Sequence, residues 1–124
     1  MDNKFYVSLK AARLLKEKGY DEKTDFFIDE YGIWKWDNRA ILDLPCPTKA
    51  EAIDWLESKG MIVVADEYHI LHEEDGYYTL HWGYYISRKN GEFVCRDNSS
   101  NYLTRLEDEE AAIIEALELL EKGE

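Results

Sequence analysis

The stretch Pro47-Thr48-Lys49-Ala50-Glu51-Ala52-Ile53-Asp54-Trp55-Leu56 constrains this chain most, because it specifies a helix with both ends marked. Thr48 followed three residues on by Glu51 is a capping box. The hydroxyl accepts an orphan amide of the first turn, and the carboxylate reaches back to the cap amide. Pro47 keeps any earlier helix from running in. Ala52, Ile53, Trp55 and Leu56 form a broad apolar stripe. Gly60 supplies the stop, since glycine takes the left-handed cap conformation without a Cβ penalty. Strand-like segments flank this helix on both sides, which frames an α+β chain.

On the N-terminal side, Ser8 caps a helix from Leu9 to about Lys18, ended by Gly19. Leu9, Ala12, Leu14 and Leu15 make its inner stripe. Lys10, Arg13, Lys16 and Lys18 make a basic outer face, read as solvated lysine stems and heads. Phe26-Phe27-Ile28 and Ile33-Trp34-Lys35-Trp36 read as two strands around Glu30-Tyr31-Gly32. Trp34 and Trp36 fall on one face. Ile41 to Leu44 adds a short edge segment.

After Gly60, Met61 to Ala65 is apolar on both faces and predicts an interior strand. Residues 66–76 read as an acidic loop closing at Asp75-Gly76. Tyr77 to Ser87 is the longest predicted strand. Its even positions, Tyr78, Leu80, Trp82, Tyr84 and Ile86, form a continuous apolar face. Its odd positions, Tyr77, Thr79, His81, Gly83 and Tyr85, are half polar. Asn90-Gly91 predicts a type I′ hairpin turn into a return strand over Glu92–Arg96, with Asp97–Asn101 as a polar loop. A last helix is expected from Glu107 or Asp108 to Glu121, with Ala111, Ile113, Ile114, Leu117 and Leu120 inside and acids in its first turn, where the helix dipole favours them. The expected architecture is a single α+β domain over residues 1–124, a mostly antiparallel sheet of four or five strands with three helices packed on it. The expected core is Leu15, Phe27, Trp34, Trp55, Leu56, Val63, Leu80, Trp82, Ile114 and Leu117.

Leu9…Leu15-x-x-x-Gly19, Pro47-Thr48-x-x-Glu51-Ala52-x-x-Trp55-Leu56, the aromatic strands and Glu109-Glu110-Ala111…Ile114-Glu115-Ala116-Leu117 run in an order that resembles a group of small phage and prophage proteins of gut Bacteroidales. The resemblance spans nearly the whole chain and rests on helix-forming motifs. It implies a phage-associated origin and a small α+β fold, and it brings no catalytic residue with it. The chain departs from that group in the strand from Tyr77 to Ser87.

Composition narrows the function classes. A formal net charge of −12 repels phosphate backbones and anionic membrane surfaces, so direct nucleic-acid or membrane binding is not expected. No apolar run approaches the ~20 residues of a membrane span, and the first residues lack a secretory-signal pattern. A cytoplasmic protein with reduced thiols is therefore expected. Cys46 and Cys95 form no CxxC pair, so they do not found a zinc knuckle. There is no GxGxxG or P-loop.

His69-x-x-His72 with Glu73, Glu74 and Asp75 invites a metal reading, but in a strand residues i and i+3 point to opposite faces. Cys46 with His81 lacks a nucleophile elbow. The chain is thus expected to have no catalytic residue, no cofactor site and no metal site. The rival enzyme reading is a small metal-dependent hydrolase using His69, His72, Glu73 and Cys46.

Two surfaces remain as candidates for binding. Tyr77, His81 and Tyr85 share the half-polar face of one strand, with Gly83 between them, where a glycine often marks a bulge or a close approach. Tyr and Trp exposed together on a sheet mark interaction surfaces. Glu109, Glu110 and Glu118 belong to a C-terminal segment, residues 107–124, that holds eight acids against one lysine. The resulting expectation is a non-enzymatic, phage-associated interaction module with a protein partner. The aromatic face would pair with a second copy as a homodimer, and the acidic face would meet a basic partner. The alternative is an acidic nucleic-acid mimic that inhibits a DNA-binding host protein.

Overall fold

Helices begin in this chain where a hydroxyl is available to cap them. The computed structural model describes residues 3–35, 44–102 and 104–120. A 3-10 turn at Asn3–Phe5 precedes α1, Leu9–Glu17, where the Ser8 hydroxyl accepts from the Ala11 amide at 3.2 Å. In α2, Lys49–Ser58, both halves of the capping box form: Glu51 donates its amide to the Thr48 hydroxyl, and the Glu51 carboxylate accepts from the Thr48 amide. Gly60 follows with φ +90°, in the left-handed region that the stop requires.

The third helix, α3, spans Arg105–Leu119 and starts earlier than expected. Thr104 caps it by accepting from the Glu107 amide at 3.2 Å, so Thr104-x-x-Glu107 repeats the spacing of Thr48-x-x-Glu51. Its inner face is also rotated from the expected stripe. Ala112, Ile113, Ala116 and Leu117 are fully buried, together with Asp108, while Ala111 and Ile114 are only partly covered.

The strands form two three-stranded antiparallel sheets rather than one sheet of four or five. The first comprises β1, Phe26–Asp29, β2, Gly32–Lys35, and β3, Leu44–Pro45, in the order β2-β1-β3. Its turn is tied by the Asp29 carboxylate, whose Oδ1 accepts from the Tyr31 and Gly32 amides and from the Trp34 indole. The indole bond first, then the two amides, hold the Asp29 carboxyl below its ordinary range. The second sheet comprises β4, Met61–His72, β5, Tyr77–Arg88, and β6, Phe93–Tyr102, in the order β4-β5-β6. The helix α2 separates the two sets, and β4 finds its ladder partner downstream in β5 instead of upstream in β1.

Two stretches expected as loops are strands. Residues 66–72 extend β4, with Asp66 opposite Gly83 and Glu67 opposite Trp82. Residues 97–102 extend β6. In β4 a continuous ladder outweighs the weak strand preference of its acids, because strand preference depends on pairing context; in β6 Asp97 lies opposite Tyr84 and Tyr102 opposite Trp82, with a register shift between them. The Asn90-Gly91 turn is a three-residue loop, not a two-residue one: Arg88 donates its amide to Glu92, and Gly91, at φ +92°, donates to Arg88.

The helices and both sheets meet in one core. α3 packs against α1, α2, β4 and β5, and the Tyr20 ring meets Trp55 edge-on at 5.4 Å. Of the expected core, Leu15, Trp55, Leu56, Val63 and Leu117 are buried. Phe27, Trp82 and Ile114 are half-buried. Trp34 and Leu80 are not core residues, at 49% and 45% exposure. Trp34 keeps its indole at the surface on the Asp29 carboxylate, and Leu80 lies opposite His69 on a part of the hairpin face that is open to solvent. Trp36 and the expected edge residues 41–43 lie outside the described residues. No helix among the described residues is long and apolar enough to cross a membrane.

This burial pattern ranks the side chains energetically. Trp55→Ala should cost about 3–5 kcal/mol, whereas Leu80→Ala should stay within about 0.5 kcal/mol of the parent. Urea unfolding of the two variants measures the difference, and equal losses would contradict this core.

Candidate functional site

The β4–β5 hairpin carries most of the residues singled out by the sequence. Its turn closes on the carbonyl of His72, which accepts from the Asp75 and Gly76 amides at 3.1 and 2.8 Å. Gly76 has φ +70° there, a conformation that glycine adopts without strain. The ladder then runs unbroken from His72 opposite Tyr77 to Met61 opposite Arg88. Residues directly opposite one another share a face, so the register assigns every side chain.

One face holds Met61, Val63, Ala65, Glu67, His69 and Leu71 of β4 with Ile86, Tyr84, Trp82, Leu80 and Tyr78 of β5. At the turn-distal end it is core: Met61, Val63, Tyr84 and Ile86 are buried. Towards the turn the same face emerges into solvent, with Leu71 46% and Tyr78 65% exposed. The even positions of β5 are therefore a continuous apolar face in sequence but not a continuous buried one. The helices α2 and α3 cover only part of its length.

The other face holds Tyr77, Thr79, His81, Gly83 and Tyr85, so the predicted trio Tyr77, His81 and Tyr85 does lie on one side of one strand. Tyr77 is exposed, while His81 and Tyr85 are half-buried. Gly83 is buried, and the β5–β6 register shifts between Trp82 and Tyr84, which matches the irregularity expected of a mid-strand glycine. A side-chain network occupies the end near the turn. The His72 ring stacks on Tyr77 at 4.6 Å with an interplanar angle of 21°. The Thr79 hydroxyl lies 2.8 Å from His72 Nε2 and 3.0 Å from His81 Nε2.

Sequence alone does not anticipate the His72–Thr79–His81 arrangement; it weighs His72 with His69 and sets that pair aside. Those two histidines are on opposite faces of β4, as i and i+3 in a strand must be. His69 is instead 4.0 Å from the Glu67 carboxylate. The signal for the real pair was the tight Asp75-Gly76 turn, which folds His72 back over Thr79. Among the described residues no three His, Cys, Asp or Glu side chains gather as a ligand set.

The three acids predicted on α3 have separate roles. Glu109 pairs with Arg105 at 2.9 Å beside a groove of about 330 Å³ that also touches Ile53 and Val64. Glu110 turns inward and accepts the Ser8 amide at 3.1 Å, tying the start of α1 to α3. Glu118 remains exposed, 3.9 Å from Lys10. They do not form one acidic patch. Lys49 is buried and donates from Nζ to the Leu106 carbonyl at 3.0 Å, joining α2 to α3.

Comparison of the chain with protein-family models, with curated proteins and with solved structures finds no match.

Cys46 is remote from any exposed histidine. It is buried with its sulfur 3.7 Å from the Val7 carbonyl. Burial first, and then the Glu110 carboxylate, push its thiol up from 9.0 to about 12. Such a thiol is a packed apolar group and not a nucleophile. Tyr20 moves the same way, to about 12, through burial and then the charges of Glu51, Glu22 and Asp21. Both groups hold their protons more tightly folded than unfolded, so their stabilisation is complete at neutral pH and drains away as pH rises from about 9 to about 12. In a Cys95→Ser chain, the Cys46 thiol should resist alkylation at mildly alkaline pH and react fully in denaturant. Fast labelling of the native chain would contradict this burial.

Proposed function

We propose that this chain is a non-enzymatic interaction module that binds protein through the turn-proximal end of the β4–β5 hairpin, with a second copy as its partner. One observation carries the reading. Leu71, Tyr78 and Leu80, three large apolar side chains, are 45–65% exposed and share one face through the register pairs Leu71–Tyr78 and His69–Leu80, while Tyr77, also exposed, lies on the opposite face. Clustered apolar surface with aromatic content marks interfaces, whereas scattered exposed side chains do not. The aromatic trio Tyr77, His81 and Tyr85 supplies one flank of this surface, and Tyr78 with Leu71 and Leu80 supplies the other. The resemblance to phage proteins supports a role encoded by a mobile element and acting in the cytoplasm.

The rival readings draw less support. Mimicry of nucleic-acid charge needs acids arrayed on one face, while Glu110 points inward and Glu109 is paired with Arg105. A metal hydrolase built on His69, His72, Glu73 and Cys46 would need groups that the fold separates, with His69 and His72 on opposite faces and Cys46 in the core.

Sedimentation of the purified chain tests the reading. Association should persist between 0.1 and 1 M salt, although the Debye length falls from ~10 to ~3 Å. It should be lost in a Leu71→Ser, Tyr78→Ser variant that keeps the parent's unfolding midpoint. A chain that sediments as a monomer at high concentration would remove the homodimer. Association that vanishes with salt would transfer the reading to the acidic side chains.

A further inference from the structure

We propose that His72 and His81 form a binding site for a divalent transition cation of the zinc class. The site lies on the face of the hairpin opposite the core side, where His72 of β4 meets Thr79 and His81 of β5. It shares His81 with the surface proposed above but has its own test.

The geometry is that of two imidazoles aimed at one point. Both Nε2 atoms lie within 3.0 Å of the Thr79 hydroxyl oxygen, so they are separated by no more than those two bond lengths together. Borderline cations bind imidazole nitrogen at ~2.0–2.1 Å. To share an ion, both rings turn from the Thr79 hydroxyl until each Nε2 lies at that distance. The hydroxyl has one proton, so it can donate to only one imidazole lone pair and must accept an N–H from a second neutral ring. A cation instead takes the lone pair of both Nε2 atoms, each ring keeping its proton on Nδ1. Thr79 then offers its oxygen as a third donor, and water fills the remaining positions.

Pre-organisation favours binding here. The His72 ring is already held flat against Tyr77, and the ladder fixes His72 opposite Tyr77, Thr79 opposite Ile70 and His81 opposite Tyr68. Less side-chain freedom is therefore lost when the ion arrives. The field has the right sign as well. Glu73, Glu74 and Asp75 are exposed in the adjoining turn, and the chain carries a net −12, which raises the local concentration of cations. Imidazole also selects zinc, nickel and copper over magnesium and calcium, which prefer oxygen.

Calorimetric titration of the untagged chain with zinc chloride at neutral pH tests the site. The expected result is one zinc per chain with a micromolar dissociation constant. His72→Ala and His81→Ala should each weaken it at least about tenfold, and His69→Ala, on the other face, should leave it unchanged. Binding should also weaken as pH falls, because protons compete with the ion for the imidazole lone pairs. Circular dichroism of each variant verifies folding; should an alanine variant unfold, His72→Gln and His81→Gln replace it with the same expected loss. No saturable binding at millimolar zinc overturns the proposal. So does binding that survives removal of both imidazoles, since the ion would then sit on the acidic turn.

Discussion

Burial of the inner face of α3 is the interaction on which the rest of the structure depends. Ala112 and Ala116 are fully buried alongside Ile113 and Leu117. Their small side chains let neighbouring elements approach closely, and the two larger ones fill the space between. α3 consequently touches α1, α2, β4 and β5. Polar ties reinforce the same helix at its beginning. Lys49 reaches the Leu106 carbonyl and Glu110 takes the Ser8 amide, so each of the other two helices is anchored to α3 by a hydrogen bond as well as by packing.

That anchoring explains the two-part character of the hairpin. Near Met61 and Arg88 it is a sheet covered by helices and widened by β6. The pairing of β5 with β6 extends no further along the hairpin than Trp82 opposite Tyr102. From there to the turn, β4 and β5 pair only with each other among the described residues. A bare two-stranded ribbon is marginal in water, so its cross-strand contacts matter more than they would in the body of the sheet. The stacking of His72 on Tyr77 and the hydroxyl of Thr79 between two imidazoles supply such contacts. The same segment that needs local support also carries the exposed apolar side chains and the paired histidines.

The acidic load likewise divides by position. Glu107 and Asp108 lie in the first turn of α3, where the helix dipole favours negative charge. Glu109 and Glu110 are drawn into pairing, and Glu118 faces solvent beside Lys10. A single number for net charge therefore describes the long-range field of the chain but not a particular binding face.

What the sequence determined by itself was local. The capping box at Thr48 and Glu51, the Ser8 cap, the turn at Glu30–Gly32 and the glycine stops were all legible, because each depends on side chains a few residues apart. The shared face of Tyr77, His81 and Tyr85 followed from strand alternation, and the burial of Trp55 and Leu56 from the helical stripe. Tertiary structure alone decided the partition into two sheets, the strand character of residues 66–72, the exposure of Leu80 and Trp34, the inward turn of Glu110 and the meeting of His72 with His81. Each of these depends on which distant segment lies opposite and how far along a strand the covering helices reach. Periodicity specifies which side chains share a face; it carries no information about where on that face the cover ends.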